Sequence, residues 1–119
     1  MPPQSDEPDS RLKAELTAEE LRGGVVHVAD APVAAGTRLA FPRLSIDAPW
    51  EALLAFVDRD PAANWSHSCR YVLVSRHTGA VASFEAQFSP FGSDQNRGWH
   101  VVYKDAIVSD SVQPILRSR

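Results

Sequence analysis

The chain is short of the residues that usually announce a chemistry. It holds one cysteine, Cys69, so no internal disulfide can close, which suits a reducing compartment. Only two of its twelve basic residues are lysines. Lys and Arg nowhere cluster with interleaved aromatics, so nucleic-acid binding has no electrostatic footprint. No run of about 18 apolar residues occurs, and no span across a membrane is expected. The opening MPPQSDEPDS lacks the basic start, apolar stretch and small-residue cleavage site of an export signal, so a cytoplasmic location is expected. There is no G-x-S-x-G, no phosphate-cradling glycine loop, no H-E-x-x-H and no dinucleotide fingerprint; no cofactor is expected.

What is present reads as one domain. The 119 residues are 44% hydrophobic, enough for a core but not for separate catalytic and substrate domains. The net charge of −3 is uneven: residues 1–20 hold six acids against Arg11 and Lys13, leaving the remainder nearly neutral. Residues 1–9 are polar, acidic and proline-containing and are expected to be a disordered tail before a single α+β domain at 10–119. The preference for Arg over Lys, with abundant Ala, suggests a bacterial genome rich in G and C.

The pattern along the chain predicts a short N-terminal helix, with Ser10 as a cap, a Thr17–Glu20 capping box and Gly23-Gly24 as the stop. VVHVAD and TRLAFPRLSID read as strands, the second bulged near Pro42 because Leu39 and Phe41 have the opposite parity to Leu44 and Ile46. The segment APWEALLAFVDRD predicts the main helix, since Trp50, Leu53, Leu54 and Val57 recur at helical spacing behind Pro49. CRYVLVSR and AVASFEAQF form a hairpin around the Thr78-Gly79 turn. Its expected register sets Cys69 opposite Ala86, Tyr71 opposite Phe84 and Leu73 opposite Ala82 on one apolar face, with Arg70 opposite Glu85 on the other. GWHVVYKDAIV adds a last strand. The expected architecture is an antiparallel sheet of about five strands packed on one main helix, with a short N-terminal helix.

Three groups of residues are candidates for function. His67 and Cys69, two apart on one strand, point the same way and could pair as base and nucleophile; burial of Cys69 against the sheet face would instead make it a structural thiol. Of the histidines, His77 lies too far along the hairpin and His100 has the wrong parity, which leaves only His27 to join His67 and Cys69, and no metal site is expected. Asp58 and Asp60, flanking Arg59, read as a solvated helix end. The loop SPFGSDQNRG places Phe91 beside Asp94, Gln95, Asn96 and Arg97, an apolar anchor among adaptable polar groups of the kind interfaces use. The YVLVSRHTGAV hairpin is similar to those of small inhibitory and immunity-type bacterial domains. The expectation is therefore a small non-enzymatic binding module of inhibitor, immunity or adaptor type whose partner is another protein, not a nucleic acid or a membrane. The alternatives are a thiol-dependent enzyme using Cys69 and His67, or a ligand-binding α+β domain.

Overall fold

A computed structural model describes residues 6–61, 67–91 and 98–108. Two helices, α1 (Asp6–Glu15) and α2 (Ala18–Leu21), precede seven strands: β1 (Val25–Ala29), β2 (Arg38–Phe41), β3 (Leu44–Asp47), β4 (Ala52–Asp58), β5 (Cys69–Ser75), β6 (Val81–Ala86) and β7 (Trp99–Lys104). Five strands make one antiparallel sheet in the order β6-β5-β4-β1-β7, and β2 with β3 forms a separate hairpin. Among the described residues no helix is long and apolar enough to cross a membrane.

The expected main helix over APWEALLAFVDRD is instead β4, at the centre of the sheet. The reason is burial on both faces. Leu54 and Phe56 join the core under the β2–β3 hairpin, while Ala55 and Val57 join the core under α1. A strand covered on both sides has no polar alternation, and an unbroken apolar run satisfies helical spacing by default. Trp50 lies outside the strand, half-buried against the hairpin-side core.

The second departure concerns Pro42. Rather than one bulged strand, residues 38–47 fold back on themselves, with Leu39 opposite Ile46 and Phe41 opposite Leu44. The parity switch at Pro42 is what a two-residue turn requires, because pairs directly opposite each other share a face. Pro42 fixes a negative φ and Arg43 follows at φ 61, the combination of a type II turn.

At the N-terminus, α1 takes in residues 6–9 of the segment expected to be a tail, and Ser10 lies inside the helix rather than at its cap. Leu12 is buried and Leu16 partly so, which is how α1 closes the second face of the sheet. Thr17 caps α2 with the full reciprocal box to Glu20. Gly24 then passes so close beneath α2 that a Cβ there would lie 2.2 Å from the Glu20 carbonyl oxygen. The β5–β6 register follows the expected one residue for residue.

Candidate functional site

Cys69 opens β5 fully buried on the hairpin-side face. Its thiol donates to the Phe88 carbonyl at 3.7 Å, beside the Tyr71 hydroxyl, which donates to the same oxygen at 2.9 Å. Burial, aided by the nearby Asp58 carboxylate, pushes the thiol pKa up to about 12. A group so slow to ionise is a poor nucleophile near neutral pH. His67 is bonded to a carboxylate: its Nε2 lies 2.9 Å from Asp58 Oδ1, and its side chain is only 8% exposed.

Asp58 is therefore not a solvated helix end but a buried carboxylate at the close of β4. Burial raises its pKa, and the Asp60 N–H and the His67 ring partly offset the rise. Next to it, on the helix side, lies a linked ion network. Arg70 grips Glu20 with two hydrogen bonds of 2.9 Å, and Arg59 reaches the same carboxylate at 2.8 Å. Arg59 then holds Glu85 bidentately at 2.7 and 2.9 Å. Arg70 and Glu85 are cross-strand neighbours as expected, but their principal ion-pair partners differ, because α2 carries Glu20 onto the face where Arg70 is buried. Desolvation works against the ionised Glu20, and the hydrogen bonds from Arg70, the Thr17 N–H and Arg59 outweigh it, so its pKa falls. A cavity of about 370 Å³ borders this network, lined by Thr17, Glu19, Glu20, Arg59, Asp60 and Ser68.

The remaining histidines are dispersed. His77 lies 3.1 Å from Glu51 and His100 2.7 Å from Asp30, both exposed. His27 is buried against Phe56 and Phe91, and its Nδ1 has no hydrogen-bond partner among the described residues. No group of three His, Cys, Asp or Glu side chains among the described residues could hold a metal ion.

In the expected binding loop, Phe91 is turned inward. Its ring meets His27, Phe56 and Trp99 edge-on at centroid distances of 4.9, 5.7 and 5.8 Å, so it anchors the loop on the core. Asp94, Gln95, Asn96 and Arg97 lie outside the described residues.

The surface best equipped for contact is the outer side of β6. At the turn, Ser75 N–H donates to the Ala80 carbonyl at 2.8 Å, which makes 75 and 80 a hydrogen-bonded pair. Antiparallel pairs alternate, so Ala82, Phe84 and Ala86 bond to β5, while Val81, Ser83 and Glu85 turn their N–H and C=O groups away from it. No described residue pairs with that outer side. Beside its end runs a groove of about 380 Å³, between Pro42, Arg43 and Leu44 of the hairpin turn and Glu85, Ala86, Gln87 and Phe88. The sequence signals Pro42 as an irregularity in the strand but does not signal Arg43, whose part depends on the turn bringing it over Phe88, 5.7 Å from the ring centroid. Glu20 was legible as a capping residue and not as the partner of two arginines 39 and 50 positions away.

Comparison with protein-family models, curated proteins and solved structures finds no match, so the site is judged by its own chemistry.

Proposed function

We propose that the chain is a non-enzymatic binding module that docks another protein through the outer edge of β6, which no described residue pairs, in the manner of an inhibitor, immunity protein or adaptor. The observation that carries this reading is the row of outward N–H and C=O groups at Val81, Ser83 and Glu85. An open edge is a template for pairing with an extended segment of a second chain. Proteins that avoid such pairing blunt their edges with Lys, Pro or a bulge. The strand VASFEA has none of these, and its one charge, Glu85, is neutralised by Arg59. The thiol alternative loses support from the sealed, slow-ionising state of Cys69.

The test is site-specific photo-crosslinking in the cells that make the protein, with the reactive side chain at exposed Gln87 and, as a control, at exposed Arg22 on the far side. A partner adduct is expected from position 87 alone. It should vanish in Ser83→Pro, which removes an outward donor without touching the β5 ladder, and persist in Ser83→Ala, which removes the hydroxyl bonded to Arg70 and keeps the N–H. An adduct indifferent to Ser83→Pro would place the interface elsewhere.

A further inference from the structure

Arg43 occupies a position that its side chain does not suit. Its φ of 61 lies in the left-handed region, where a residue with a Cβ is strained and Gly or Asn is the usual choice at this point of a type II turn. Strain of this kind is retained where a side chain serves a purpose. The guanidinium is exposed, lies over the Phe88 ring and has no carboxylate partner among the described residues, whereas Arg38, Arg59, Arg70 and Arg76 each have one. Arg43 thus presents a planar cation with no carboxylate partner among the described residues, at a groove whose other wall is the end of β6.

We propose that the segment docking on β6 is an extended acidic peptide: its backbone pairs with Val81, Ser83 and Glu85, an apolar side chain enters the groove against Leu44 and Phe88, and a carboxylate meets Arg43. This rests on the edge reading above and names the partner's chemistry. Charge complementarity selects the acid. Glu85, the one carboxylate lining the groove, is held bidentately by Arg59 and does not satisfy Arg43. A guanidinium placed over an aromatic ring at cation–π distance, as Arg43 is at 5.7 Å, keeps its N–H fork available for bidentate carboxylate recognition. The groove, at the small end of the roughly 300–1,000 Å³ range of ligand pockets, suits one or two side chains rather than a cofactor.

The experiment is selection of a random decapeptide library displayed on phage against the full chain, followed by fluorescence anisotropy on the enriched peptides. Enriched sequences should alternate apolar or β-branched residues and carry Asp or Glu. Their affinity should fall at least about 10-fold in Arg43→Gly, with Tm unchanged or raised. Selection against Arg43→Glu should enrich Lys and Arg instead. Peptides lost in Ser83→Pro but showing no acidic bias, or binding Arg43→Glu as well as the parent, would overturn the acidic assignment and leave the edge reading standing. Peptides indifferent to Ser83→Pro, or an empty selection, would overturn both.

Discussion

Protonating His27 forces a charge into a core with nothing to receive it. The residue is 5% exposed, its Nδ1 has no hydrogen-bond partner among the described residues, and burial lowers its pKa from 6.5 to about 4. Between those values the unfolded chain binds the extra proton and the folded chain does not, so stability falls as pH drops through that window. From pH 7 to pH 5 the loss should be about 2 kcal/mol. Urea unfolding at the two pH values should show it in the parent and not in His27→Leu. Glu20 acts in the same direction in a more acidic window: its lowered pKa stabilises the fold above about 4.5, and that contribution is lost only as pH falls further. Glu20→Gln keeps the capping geometry but strands the buried Arg70, and should cost about 3–5 kcal/mol. Glu85→Gln, whose side chain is 70% exposed, should cost about 1 kcal/mol or less. Arg43→Gly relieves the left-handed strain and should stabilise the hairpin by about 1 kcal/mol while weakening binding, which separates a functional residue from a structural one.

Among the elements, β4 carries the energetic weight that periodicity assigned to a helix. Phe56 is fully buried in it, its ring tilted against Tyr71 at a centroid distance of 5.2 Å, whereas Trp50 sits half-buried before the strand begins. Phe56→Ala should therefore cost about 3–5 kcal/mol and Trp50→Ala clearly less, as measured by denaturant midpoints at constant m-value. What was legible at this scale was local. The β5–β6 register could be counted outward from the Gly79 turn, and the α2 cap from the spacing of Thr17 and Glu20, because each depends on residues a few positions apart. The strand nature of β4 was not legible, since it depends on α1 and the β2–β3 hairpin arriving on opposite faces. The parity change at Pro42 was visible, but a bulge and a turn produce it equally.

At the scale of the whole molecule, the central strands β4 and β5 are buried on both faces, and among the described residues the outer side of β6 is unpaired. The side chains singled out as candidates have been drawn into packing or hydrogen bonds: Cys69 beneath the hairpin, His67 on Asp58, and Phe91 on His27 and Trp99. The candidate site was only partly legible for the same reason. The sequence pointed to the loop around Phe91 as the contact, whereas Arg43, the cation at the groove beside β6, sits in a turn far from that strand in sequence. Amide hydrogen exchange tests the edge-docking account most directly. In the free protein Val81, Ser83 and Glu85 should exchange fast and Ala82, Phe84 and Ala86 slowly, and binding of the photo-captured partner should protect the first three. Protection that appears elsewhere while those three amides stay fast would contradict docking through β6.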